Sequence, residues 1–156
     1  MWQNWLWAGL ICVLLGAFEA GASGKDPAGA LRSIRQPDWS PPFWLWAIIG
    51  VAWYLICFIS LARLLPIFDT RPAPLLLLLA LMVANGASGI LQLRMKRFDL
   101  ALWVMPPYAT LVLALLWIVW PLDRVVFFLF AGYAAYLVYA GVWGWNLWRL
   151  NPRDRN

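Results

Sequence analysis

Pro37-Asp38-Trp39-Ser40-Pro41-Pro42-Phe43-Trp44 joins a rigid polar loop directly to a long apolar run. Proline has no backbone donor and holds φ near the value of a helix's first turn, so Pro41 and Pro42 read as a stiff entry to a helix beginning at Phe43. Trp39 and Trp44 flank that entry. Their rings are apolar in body with one N–H at the edge, which suits a membrane interface or the wall of a pocket. The run that follows, 43–62, contains no charged residue and is long enough to cross a hydrocarbon core.

Four further apolar runs surround this one, at 5–22, 75–93, 100–122 and 125–148, and only Glu19 breaks any of them with a charge. A chain of 156 residues that is 64% hydrophobic and 12% charged, with mean hydropathy +0.72, lies outside the composition of water-soluble domains. It reads as an all-α integral membrane protein, a single bundle of five transmembrane helices over 1–156 with a long first loop capping one end. Met1-Trp2-Gln3-Asn4 lacks the basic start of a signal peptide, so the first run is taken as a retained helix. Thirteen tryptophans exceed what two interfacial belts need, which turns some rings inward and hints at a pocket.

The formal charge is +5, but the basic residues sit between the apolar runs, where they orient the chain beside lipid headgroups rather than bind nucleic acid. Cys12 and Cys57 lie inside apolar runs and suggest neither a disulfide framework nor a thiolate metal site. The absence of histidine removes the side chain most used for zinc, haem iron and general-base work. With no phosphate-binding, zinc or paired-carboxylate motif either, no catalytic residue is assigned and no cofactor is required. Five spans put the termini on opposite sides. Lys25, Arg32, Arg35, Arg94, Lys96, Arg97, Arg149, Arg153 and Arg155 fall on one side against Arg63, Arg71 and Arg124 on the other. That asymmetry points to a bacterial inner membrane with the C-terminus and the long loop in the cytoplasm; in an outer membrane the rule would lose its meaning.

Several residues carry chemistry worth following. Glu19, in the small-residue stretch Gly16-Ala17-Phe18-Glu19-Ala20-Gly21-Ala22, reads either as a functional group or as a helix-end carboxylate reaching toward water. Residues 28–34 suit a short interfacial helix, with Leu31 and Ile34 on one face and Arg32 and Arg35 on another. Trp46, Gly50, Trp53, Tyr54 and Cys57 share a face of the second span, with a groove expected at Gly50. Ala80, Ala84 and Ser88 make a small-residue stripe, expected to serve a homodimer interface or the bundle itself. Asn85 and Gln92 carry amides that each need a partner or ligand. Pro106 and Pro107 predict a kink, and Tyr133, Tyr136, Ala140 and Trp143 form an aromatic wall on the fifth span. A sterol-type pattern, weak by nature, is met by Arg94, Phe98 and Leu100.

The chain resembles the TspO/MBR family, the tryptophan-rich sensory proteins, translocator proteins or peripheral-type benzodiazepine receptors. The resemblance rests on the five spans, the P-x-W-x-P-P element at 37–42, Tyr54, Asn85, Met95-Lys96-Arg97 and the closing Leu150-Asn151. It departs at Gly50, where the family often has tryptophan, at Ser88-Gly89-Ile90 in place of W-T-P, and at Gly144, with Asn146 two positions on. The resemblance implies a dimeric bundle with a cavity under the first loop that binds porphyrins, sterols or drug-like aromatics.

The ligand-binding set expected is Trp39, Pro41, Pro42 and Trp44 at the lid, Tyr54, Asn85 and Gln92 in the middle, and Tyr136, Ala140 and Trp143 on the wall. The expected function is a membrane receptor or carrier for a hydrophobic aromatic molecule, a porphyrin or haem-type ligand included, with membrane lipid and a second copy as partners. The alternatives are light- or oxygen-dependent porphyrin breakdown and a membrane assembly partner without a small-molecule ligand.

Overall fold

The structure, a computed structural model, describes residues 2–24 and 26–152. Lys25, Arg153 and Arg155, three of the orienting charges, lie outside the described residues. The described chain forms α1 (Trp2–Ser23), α2 (Pro27–Arg32), α3 (Phe43–Leu64), α4 (Ala73–Gly89), α5 (Phe98–Val119) and α6 (Arg124–Leu150), with no strand. Five helical segments are long and apolar enough to cross a membrane, α1, α3 extended to Ile67, α4 extended to Arg94, α5 and α6, and the chain is a multi-pass membrane protein.

The spans begin and end within a few residues of the sequence reading, and the third differs in kind. It is α-helical only to Gly89 and then widens into a π-helical turn, Ile90–Arg94, closed by Met95 N–H donating to Ile90 O at 3.0 Å. The Ser88 hydroxyl donates to Asn85 O at 2.9 Å, a local competitor for the helical ladder just before the widening. Lys96, with φ of 50°, then turns the chain through the left-handed region toward α5.

Contacts between helices close a ring in the order α1, α3, α6, α5, α4 and back to α1. The half of the bundle at the α3–α4 and α5–α6 turns is solid. Cys57, Leu61, Leu64, Leu78, Leu81, Val112, Leu115, Val119, Val126 and Phe130 are all fully or almost fully buried there. Asp123 seals this end twice over, accepting from Val125 N and Val126 N as the cap of α6 and pairing with Arg63 at 2.7 Å. The Arg124 guanidinium lies over the Trp120 ring at 3.4 Å.

The opposite, basic end is covered by the first loop. Asp26 caps α2 by accepting from Gly29 N at 2.8 Å, and Pro27 occupies its first turn. Leu31 and Ile34 are buried against Phe98, Trp143 and Leu147, while Arg32 and Arg35 stay exposed. Phe98, the aromatic of the sterol-type pattern, is thus occupied within the protein. Two latches hold the loop down. Trp143 Nε1 donates to Ser40 Oγ at 2.9 Å, and Asn151 both accepts from Arg35 N at 2.9 Å and donates to Arg35 O at 2.8 Å.

One expectation changes, that for Gly50. Gly50 is exposed with no neighbouring atom near it, so the groove between α3 and α6 runs instead past Gly132, lined by Ile49, Ala52, Trp53 and Phe128. Pro106 and Pro107 are exposed and α5 continues through them, so Pro106 borders an outward groove shared with α6. The missing donors fall where the helix faces away from the bundle.

Candidate functional site

Between the solid half and the loop lies a cavity of about 240 Å³ to which every span contributes. Glu19 comes from α1, Trp46 from α3, Asn85, Ser88 and Gly89 from α4, and Gln92 from the π turn. Ala101, Val104, Met105 and Tyr108 come from α5, and Tyr133, Tyr136, Leu137, Ala140 and Trp143 from α6. Small side chains at Ser88, Gly89, Ala101 and Ala140 leave the space, and large rings bound it.

The polar side is built by α1, α3 and α4. Tyr54 OH donates to Glu19 Oε2 at 2.7 Å, and Asn85 Nδ2 approaches Glu19 Oε1 at 3.5 Å. The three helices are in side-chain contact here. A Cβ at Gly16 would stand 3.5 Å from the Tyr54 ring, and one at Gly86 would stand 3.7 Å from Glu19 Cβ, so α1 lies close to both neighbours. Glu19 therefore faces into the bundle, half-buried, rather than reaching out to water at the helix end.

The floor and the opposite wall are aromatic. Tyr108 and Tyr133 share a hydrogen bond at 2.7 Å between hydroxyls, and Trp53 stacks on Tyr133 with centroids 4.5 Å apart. Tyr133, Tyr136 and Tyr139 follow one another along α6 at 5.9 and 6.1 Å, and Trp39 meets Tyr139 edge-on at 5.6 Å. At the loop end Trp46 and Trp143 are 4.6 Å apart. Trp143 Nε1 is satisfied by Ser40, whereas Trp46 Nε1 is buried and has no hydrogen-bond partner.

The residues expected from sequence distribute unevenly. Asn85, Gln92, Tyr136, Ala140 and Trp143 line the cavity together. Tyr54 is hydrogen-bonded to Glu19 and does not itself line the cavity. Trp39, Pro41, Pro42 and Trp44 are outside the lining: Trp39 and Trp44 are exposed, and Trp39 packs on the outer flank of α6. The loop itself bends inward, but its prolines set direction and its Ser40, Leu31 and Ile34 make the inward contacts. Within the stripe Ala80, Ala84 and Ser88, Ser88 lines the cavity, Ala84 packs against the core and only Ala80 is exposed. Trp46 and Tyr108 join the site unexpectedly. Trp46 was legible as part of an aromatic face, but nothing local marks Tyr108 as facing inward. Of the departures, Ser88 and Gly89 fall on the wall, Gly144 borders a small adjoining void, and Asn146 turns back to donate to Val142 O at 2.8 Å.

A larger open cleft of about 610 Å³, lined by Lys96, Asp99, Trp148 and Arg149, abuts the end of the described chain and holds none of the expected residues. The cavity is where the chemistry converges. Residues 8–149 match the sequence pattern of the TspO/MBR family. The chain belongs to the TspO/MBR family. It is also 27% identical over 146 residues to Protein CrtK of Rhodobacter capsulatus, a match covering 87% of this chain and 88% of that one. TspO/MBR membership supports a sensory or transport role in a membrane.

Proposed function

We propose that this TspO/MBR protein binds a hydrophobic aromatic ligand in the intrabundle cavity and couples that binding to sensing or transport. The observation that carries the reading is a single cavity lined by all five spans, with aromatic rings on one side and isolated polar groups on the other. Such a mixture is what small-molecule sites use, with area for affinity and a few polar atoms for orientation. Burial of an aromatic ligand's apolar surface returns about 25 cal/mol per Å², so ~200 Å² gives roughly 5 kcal/mol before association costs are subtracted.

At about 240 Å³ the cavity is below the usual range of roughly 300–1,000 Å³ for ligand sites. One or two fused rings fit as it stands. A porphyrin or sterol enters only if the loop lifts from Trp143 and Asn151. In this reading Asn85, Gln92, Tyr136, Ala140 and Trp143 contact the ligand, Tyr54 orients Glu19, and the 37–44 segment acts as the hinge of the lid. The outward face of α4, Leu76, Ala80, Val83 and Ala87, is the surface proposed for a homodimer. The basic end is proposed to face the cytoplasm of an inner membrane.

Tryptophan fluorescence of the protein in lipid nanodiscs tests the reading. Saturable quenching by protoporphyrin or by a two-ring aromatic is expected, at least tenfold weaker in Trp143→Ala. Quenching that rises linearly, as in empty nanodiscs, would overturn it.

A further inference from the structure

The cleft of about 610 Å³ at the basic end shares no lining residue with the intrabundle cavity. It lies where three spans reach the membrane surface. Lys96 comes from the turn after the π-helical end of the third span, Phe98 and Asp99 from the start of α5, and Trp148 and Arg149 from the last turn of α6.

The charges of this cleft do not cancel. Asp99, the one carboxylate of its lining among the described residues, accepts from Arg97 at 2.9 and 2.8 Å, so that acid and that base offset each other. Lys96 and Arg149 remain, both exposed and neither in an ion pair among the described residues. They reach the same opening from elements far apart in sequence, Lys96 by way of the left-handed turn that lysine seldom takes. Asn151, also in the lining, is taken up by Arg35 and by Leu147 O, so the cations are the groups the cleft offers to a ligand.

The α6 wall is apolar. Trp148 is exposed there and its ring meets that of Trp145, also exposed, at 5.0 Å and one turn deeper along α6. Indole rings at the end of a span lie between headgroup and acyl chain. Cations above and rings below match a molecule with a negative head and apolar chains; a soluble anion would use the cations alone.

We propose that this cleft binds the phosphate of an anionic lipid headgroup, held by Lys96 and Arg149, with Trp148 and Trp145 beside the glycerol and the acyl chains. Basic pockets between span ends on the cytoplasmic side are where anionic lipids are retained. The site is independent of what the intrabundle cavity binds.

Native mass spectrometry of the full chain in detergent micelles, titrated with lipid, reads this directly as bound lipid per protein. Phosphatidylglycerol and phosphatidylcholine with the same acyl chains share a phosphate and differ in net charge. The first phosphatidylglycerol should bind about tenfold tighter than phosphatidylcholine, a 1.4 kcal/mol difference. Lys96→Asn with Arg149→Gln should bring the two lipids within about threefold, a gap of under 1 kcal/mol. Arg32→Gln with Arg71→Gln removes the same charge from exposed positions outside the cleft and should leave the preference intact. Glycerol phosphate, which has the anion without the chains, should not displace the lipid.

Equal binding of the two lipids overturns the site. Equal loss of preference in both double variants assigns it to net charge and overturns the cleft as its seat. Displacement by glycerol phosphate makes the cleft a soluble-phosphate site and overturns the lipid. Should Lys96→Asn disturb the turn, Arg149→Gln alone decides: the preference should fall about threefold, and an unchanged preference overturns the assignment.

Discussion

Tyr108 and Tyr133 are buried hydroxyls whose partner is each other, at 2.7 Å on the cavity floor. Removing one hydroxyl strands the other, which costs about 1–3 kcal/mol, whereas removing both leaves nothing unpaired. Tyr108→Phe is therefore expected to lower stability in detergent, and Tyr108→Phe with Tyr133→Phe to lower it by less than the sum of the singles; additive losses in a double-mutant cycle would contradict the pairing. Trp143 combines two roles, filling the junction of loop and bundle and donating to Ser40. Trp143→Phe should cost roughly 1 kcal/mol, that of the lost hydrogen bond. Trp143→Ala, which empties a large buried volume, should cost ~3–5 kcal/mol. Glu19 shows what one residue's sequence context leaves open. Its charge and depth were readable, but whether it faced water or the bundle depended on α1 packing beside Tyr54 of α3 and Asn85 of α4.

The elements depend on a few polar fastenings. Asn151 ties the loop to the end of α6 by bonding both backbone groups of Arg35. Asn151→Leu should release that latch, so the Arg35 amide should exchange with deuterium about tenfold faster for each 1.4 kcal/mol lost. Unchanged exchange would mean that Trp143 and the Leu31–Ile34 face hold the loop unaided. At the other end Asp123 is both a helix cap and the partner of Arg63. Arg63 is substantially exposed, so the ion pair adds little, and Asp123→Ala should lower stability by ~1–2 kcal/mol, mainly through the cap. The helices themselves were legible because uncharged runs in lipid have only one way to satisfy their backbone. The π turn at 90–94 was not, since it arises from how Ser88 and the chain reversal at Lys96 load the end of α4.

At the scale of the whole molecule the tryptophans divide by position. Trp46, Trp53 and Trp143 are inside or at the cavity, while Trp2, Trp7, Trp117 and Trp120 ring one end of the bundle and Trp44, Trp103, Trp145 and Trp148 lie exposed toward the other. Exposed rings at both ends are what an interfacial belt requires. For the proposed orientation, Ser33→Cys at the loop end should react with a membrane-impermeant maleimide from the cytoplasmic side alone. Thr70→Cys, exposed at the α3–α4 turn, should react from the opposite side alone. Labelling with the sides exchanged would reverse the orientation. Cys57 is buried and Cys12 half-buried, which keeps the background low.

Span number, helix limits and the asymmetry of basic charge follow from composition and local chemistry, because lipid penalises any unsatisfied backbone or unpaired charge wherever it occurs along the chain. The identity of the cavity wall does not. Trp39 and Trp44 carry the same chemistry as Trp46 and Trp143, yet the first pair is exposed and the second meets across the loop end of the cavity. That difference is set by which helix faces the ring order turns together and by how far the loop folds down, both of them products of long-range packing rather than of any residue's neighbours in sequence.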